Sequence, residues 1–285
     1  MHFGDWVAPD VPKMSQWQGR APLTATASLF NTSTLLARAA EILGYESDRK
    51  KYSQYATKVA DAYIDVFTDG KGRLKNEFQT AYALPIYLGI FDGAMKQAAA
   101  DRLAELVAQN DYKIGTGFPG TPYILFALSD NGHADVAYKM LLNTKCPSWL
   151  YEVKQGATTI WERWDGLDEN GDCPIGDDGT DIMISYNNYA SGAVGDFLYR
   201  RVAGIEPMDP GYIRFKVKPV IDKSLTWAKA HTDTPRGRVA VEWKIEEKVF
   251  SIKVTVPRES TANVELPDGT RHDIGAGTHE LTCRL

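Results

Sequence analysis

The chain is short of cysteine, histidine and excess positive charge, and each shortage removes a class of protein. Its three cysteines, Cys146, Cys173 and Cys283, are far apart, odd in number and include no C-x-x-C, so they read as free thiols rather than a disulfide framework. The five histidines, His2, His133, His231, His272 and His279, contain no H-E-x-x-H pair, and no other group has metal-ligand spacing. No metal is expected. A net charge of -5 with no basic stripe argues against nucleic acid as a partner, because a phosphate backbone needs a cationic face. No apolar run approaches the ~20 residues that span a bilayer, so no membrane partner is expected. The N-terminal M-H-F-G-D-W has neither the charged nor the apolar region of a signal peptide. The glycine cluster I-G-T-G-F-P-G-T-P, residues 114–122, follows no strand and has no acidic residue at the distance a dinucleotide fold requires. No cofactor is expected.

What is present falls into two halves. Residues 1–20 are rich in Trp, Pro and Gly without a period and read as an irregular segment, unusually apolar for a loop because of Trp6 and Trp17. From Leu23 to Leu43 apolar residues recur at helical spacing, and Gly44 stands where a C′ glycine belongs. Ser47 offers an N-cap to a second helix carrying Tyr52, Tyr55, Val59, Tyr63 and Val66, which ends at Asp69-Gly70. Phe78 to Leu88 with an internal Pro85, an Ala-rich helix opening at Asp92, and a short hairpin broken at Asn131-Gly132 continue the pattern. Asn187 to Val202 forms a last helix, with Ala190, Val194, Phe197, Leu198 and Tyr199 as its core side. At Gly204 the period changes to two. Residues 239–246 and 250–256 alternate apolar and polar side chains, residues 213–217 form an earlier strand, and Val264 and Leu266 run into a turn at Pro267-Asp268-Gly269. The fold class is α+β multidomain: a helical domain over 1–204 and a small antiparallel β-sandwich over 205–285.

The chemistry concentrates in G-A-T-T-I-W-E-R-W, residues 156–164. This run sets one carboxylate, Glu162, between the indoles of Trp161 and Trp164 with Arg163 beside it. Aromatic faces stack on the C–H faces of a pyranose, and a carboxylate among them can take a proton from water. The competing reading is a buried turn in which the tryptophans pack and Glu162 pairs with an arginine, since W-x-x-W also occurs on core helix faces. Residues 165–181 follow with seven acidic residues, four glycines and no basic one, a solvated insertion or else a lid over a polar ligand.

The order of motifs resembles the C-terminal part of a bacterial α-L-rhamnosidase of the inverting type: G-D-W at 4–6, T-G-F-P-G-T-P-Y at 116–123, I-W-E-R-W at 160–164 and Y-A-S-G-A-V-G-D-F-L-Y at 189–199. The resemblance implies an (α/α)6 barrel followed by a β-sandwich. Only about eight helical segments are countable against the twelve of the closed barrel, so the helical half is expected to be a partial barrel. The resemblance makes Glu162 the general base, with substrate contacts at Asp5, Trp6, Trp161 and Trp164. It places Asn188, in S-Y-N-N-Y-A, where many relatives carry a substrate-contacting histidine. Asparagine can hydrogen-bond a hydroxyl but carries neither proton nor charge. The family's general acid lies in a segment of the type D-E-R-x-G-W-T-G-D, which these residues do not contain; Asp165, Asp177 and Asp178 are among the acids near the motif that could be invoked in its place. The chain is therefore expected to be one portion of a longer polypeptide, to act on a rhamnose-containing glycoside, and to associate with itself or with an upstream fragment. A non-catalytic carbohydrate-binding or assembly fragment is the alternative, and a glucoamylase-like sugar enzyme is a third class.

Overall fold

The computed structural model describes residues 3–11, 13–173 and 184–285, and the chain divides into two compact units, Met1–Ala193 and Val194–Leu285. The first unit is helical: α1 (Met14–Gly19), α2 (Ala21–Leu43), α3 (Glu46–Phe67), α4 (Gln79–Leu88), α5 (Gly93–Gln109), α6 (Ile124–Ser129), α7 (Ala134–Leu141), α8 (Trp149–Lys154) and α9 (Tyr189–Gly192). Helices α2 and α3, α4 and α5, and α6 and α7 pack as successive pairs. Helix α2 ends because Gly44 adopts φ 76°, and this left-handed cap returns its N–H to the carbonyls of Ala40 and Glu41. Every residue of α4 from Gln79 to Ile86 is buried, so this helix is the centre of the unit rather than an amphipathic cover. Its own Tyr82 and the neighbouring Tyr63 of α3 are fully enclosed, the Tyr63 hydroxyl donating to the Ala81 carbonyl at 3.3 Å and the Tyr82 hydroxyl to Glu77 at 2.6 Å. A buried phenol keeps a partner in this way.

Two local expectations change. The N-terminal segment is not irregular throughout, since α1 forms and buries Trp17, whose indole N–H bridges the carbonyls of Ala8 at 3.0 Å and Val11 at 2.9 Å. Helix α3 is capped at Tyr45, and Ser47 lies inside its first turn.

The second unit opens with α10 (Val194–Phe197), which runs into a π-helical turn over Leu198–Ala203. That wider turn buries Val202 and Ala203 and leaves Leu198 and Tyr199 part-exposed, contrary to the straight-helix expectation. Gly204 follows at φ 87°, in a position where a Cβ would lie 2.4 Å from the Pro219 nitrogen. Eight strands come next: β1 (Ile205–Pro207), β2 (Arg214–Val217), β3 (Trp227–Thr234), β4 (Gly237–Glu246), β5 (Val249–Val256), β6 (Thr261–Glu265), β7 (Arg271–Ile274) and β8 (Gly277–Arg284). They form two four-stranded sheets ordered β1-β2-β6-β7 and β3-β4-β5-β8. All pairs are antiparallel except β2 with β6, which is parallel. Inward residues of both sheets, among them Phe215, Val217 and Val264 from one and Val241, Trp243 and Phe250 from the other, share a single core. The Trp243 indole is satisfied by the Val202 carbonyl at 2.8 Å. Strand β3 escapes sequence detection because its half-buried positions are Ala228, Ala230 and Thr232, too small to register as apolar alternation.

Among the described residues no helix is long and apolar enough to cross a membrane, and no group of three or more His, Cys, Asp and Glu is placed to hold a metal.

Candidate active site

Two backbone segments lie side by side to present the candidate carboxylate. The Glu162 N–H donates to the Ser185 carbonyl at 2.8 Å, the Asn188 N–H donates to the Ile160 carbonyl at 2.8 Å, and Thr159 Oγ1 donates to the Tyr186 carbonyl. The side chain of Glu162 completes the exchange, Oε2 accepting from the Ser185 N–H at 2.9 Å. One carboxylate oxygen is thus anchored to backbone, while Oε1 of this half-buried side chain accepts from no described residue. Asn188, brought alongside by the same pairing, uses Oδ1 to cap α9 through the Ala190 N–H at 2.9 Å. Its amide NH₂ has no described acceptor.

Glu162 does not pair with an arginine. The Arg163 guanidinium instead takes both oxygens of Asp165, each at 3.0 Å. Trp161 and Trp164 are each only 3% exposed, and the packed-turn reading describes them better than a stacking wall. Trp161 meets the Tyr186 ring edge-on at 5.4 Å, and Trp164 meets Trp149 at 5.4 Å and 90°. Trp149 is itself tied down by its indole N–H to the Ser191 carbonyl at 2.9 Å. The indoles on either side of Glu162 therefore pack the turn against Tyr186 and Trp149.

Beneath the turn stands a residue the sequence reading missed. Glu152, in the first turn of α8, is fully buried; its Oε2 accepts the Trp161 N–H at 3.0 Å, while Oε1 has no partner among the described residues. Burial pushes its pKa up to about 8, and the Trp161 hydrogen bond only partly opposes this. A glutamate in a first helical turn ordinarily faces solvent and complements the dipole, so nothing in its local pattern marks it as enclosed.

Asp5 and Trp6 belong to the N-terminal loop, which is fastened to the glycine cluster. Asp5 is completely enclosed. Its Oδ1 accepts from Thr80 Oγ1 at 2.8 Å and the Gly117 N–H at 3.0 Å, and its Oδ2 accepts from Arg20 at 3.0 Å. Burial raises its pKa to about 6 against the lowering pull of Arg20. With no exposed surface, Asp5 holds loops together and offers no oxygen to a ligand. Gly117 permits this approach, since a Cβ there would fall 2.4 Å from the Trp6 carbonyl oxygen. Trp6 is half-buried between Phe3 and Trp17, with ring centroids 5.0 and 5.3 Å away. A cavity of about 270 Å³ runs between this loop and the central motif, lined by Val7, Trp17, Cys146, Arg163, Trp164 and Asp165. Asp177, Asp178 and the second half of the acidic stretch lie outside the described residues.

Known proteins resemble this chain across nearly its whole length. Residues 1–202 match the bacterial alpha-L-rhamnosidase 6 hairpin glycosidase domain, and residues 204–280 match the bacterial alpha-L-rhamnosidase C-terminal domain. An alpha-L-rhamnosidase of Streptomyces avermitilis is 33% identical over 98% of this chain and 28% of its own length, and one of Formosa agariphila is 34% identical over 98% and 30%. The crystal structure of an alpha-L-rhamnosidase from Aspergillus terreus superimposes with a TM-score of 0.90 at 34% identity, covering 99% of this chain and 33% of that one. The Streptomyces avermitilis enzyme complexed with L-rhamnose superimposes with a TM-score of 0.87 at 32% identity, covering 99% and 28%. The chain thus spans about a third of the length of the relatives it matches. On the two domain matches and these identities, it belongs to the bacterial α-L-rhamnosidase family.

Proposed function

We propose that the chain carries the water-activating half of an inverting α-L-rhamnosidase, with Glu162 as the general base. The observation that carries this reading is the asymmetry of the Glu162 carboxylate: Oε2 is fixed by the Ser185 N–H, and Oε1 is left without a described partner. A base needs one oxygen held in place and one open to water. Inverting hydrolysis also needs a second carboxyl group, about 6.5–9.5 Å away, to protonate the leaving oxygen. Asp165 is a poor candidate for that role, because Arg163 engages both of its oxygens. In this reading the acid is supplied by residues beyond those described. The exposed part of Trp6 and the amide NH₂ of Asn188 contact the sugar, while Asp5, Trp161 and Trp164 position the groups that do. We place the boundary between the two domains at Gly204, between the two matched domain regions, although the compact units part earlier, after Ala193. The substrate class is a rhamnose-containing glycoside, in keeping with a relative crystallised with L-rhamnose.

The test is Glu162→Gln. The amide keeps size and hydrogen bonding but cannot take a proton, so turnover of an aryl α-L-rhamnoside should fall by about 10²-fold or more while L-rhamnose affinity stays within a few-fold. The measurement is made on the 285-residue chain and on a longer polypeptide that includes the acid-bearing segment. Turnover by neither, with L-rhamnose still bound, identifies a carbohydrate-binding fragment. Unchanged rates in the variant remove Glu162 from the mechanism.

A further inference from the structure

The outer face of the sheet β3-β4-β5-β8 carries a groove of about 780 Å³ that the reaction does not use. Strand register builds it from two rows. Across the four strands Trp227, Lys244, Ser251 and Thr282 line it in one row and Glu242, Lys253 and Glu280 in the next, while Lys229, in register with Glu242, stands beside it. Trp227 is 67% exposed and is the one aromatic residue in these two rows. An indole left this open on an edge strand gives up apolar burial that the inward Trp243 of the neighbouring strand obtains in full.

The charges beside Trp227 are balanced and mutually paired. Lys229 meets Glu242 at 3.2 Å, Lys244 meets Glu246 at 2.8 Å and Lys253 meets Glu280 at 3.4 Å. With three bases against three acids the face selects neither polyanion nor polycation, yet each paired group retains donors or acceptors for a further hydrogen bond. Ser251 and Thr282 add hydroxyls between them. A wide apolar ring face next to a floor of neutralised donors and acceptors matches a ligand that is itself apolar on one face, polar at its rim and uncharged. Neutral oligosaccharides have that chemistry, and the groove's volume falls in the range of small-ligand sites.

We propose that this face is a second, non-catalytic binding site for neutral oligosaccharide, in which one ring stacks on Trp227 while its hydroxyls bond the Lys-Glu rows. The inference does not rest on the assignment of Glu162. Such a site would hold a polymeric substrate close to the enzyme without taking part in bond cleavage.

The experiment follows the indole N–H resonances of the 285-residue chain during titration with a rhamnosyl-glucose disaccharide and with a neutral glucose hexasaccharide. Three proteins are compared: wild type, Trp227→Ala and Trp227→Tyr. Binding that perturbs the Trp227 signal, weakens about tenfold or more in Trp227→Ala and is partly kept by Trp227→Tyr supports the site. Trp227 is exposed, so its removal should leave the fold intact, which unchanged dispersion of the remaining resonances verifies. An unmoved Trp227 resonance at 20 mM of either sugar, or equal affinity in Trp227→Ala, overturns the proposal. A lower molar mass in solution for Trp227→Ala also overturns it, and makes the face a protein interface instead.

Discussion

Replacing Glu152 by glutamine should change how stability depends on pH, and the size of the change follows from its enclosure. The carboxyl titrates near 8 in the fold against an ordinary 4.5. Because the folded value is raised, the proton is held more tightly in the folded state. The associated stability is fully present below pH 4.5 and is lost as pH rises through 8. At pH 7 the unfolded chain has released the proton while the folded chain still holds it, a difference of about 2.5 pKa units or ~3 kcal/mol. Glutamine has no proton to release, although its buried NH₂ introduces a pH-independent penalty of ~1–3 kcal/mol. The informative quantity is therefore the change in the mutant-minus-wild-type difference between pH 4 and pH 7, which should move by about 3 kcal/mol in favour of Glu152→Gln. Asp5, whose pKa is also raised, destabilises both proteins equally over this range and cancels. Urea unfolding followed by tryptophan fluorescence at the two pH values supplies the measurement. Parallel stability profiles, with a difference constant to within about 0.5 kcal/mol, would show that Glu152 is solvated or compensated and that the dry pocket under the Trp161 turn does not exist.

Two further outcomes are expected. Gly117→Ala should lose about 2 kcal/mol or more, because the added methyl meets the Trp6 and Asp5 carbonyls at 2.4 and 2.6 Å; the control Gly19→Ala, with nothing within 4 Å, should leave the urea midpoint unchanged or slightly raised. Helix α2 exposes Leu29, Leu36 and Leu43 at seven-residue spacing, with Leu35 and Ile42 beside them. So continuous an apolar strip favours association, and sedimentation velocity should show wild-type mass rising with concentration while Leu36→Lys with Leu43→Lys stays monomeric. Identical masses would show the strip to be inert.

The helical stripes of α2 and α3, the left-handed Gly44 and the change of period after Gly204 are local properties, set by side-chain spacing and backbone sterics within a few residues, and the sequence alone determines them. It also determines the order of motifs that marks the family. Long-range packing decided the rest. Strand β3 exists because β4 pairs with its whole length, although its inward alanines carry almost no apolar signal. The same applies to the site. That Glu162 exchanges hydrogen bonds with Ser185, twenty-three residues away, and not with the adjacent Arg163, depends on which backbone segments become neighbours. Asp5 reads as a loop residue free to meet a ligand, yet Thr80 and Gly117 converge on it from distant parts of the chain and seal it. Glu152 is the extreme case. Its helical position predicts a solvated carboxylate, and only the tryptophan-lined turn folded over it excludes water and holds its proton near neutral pH.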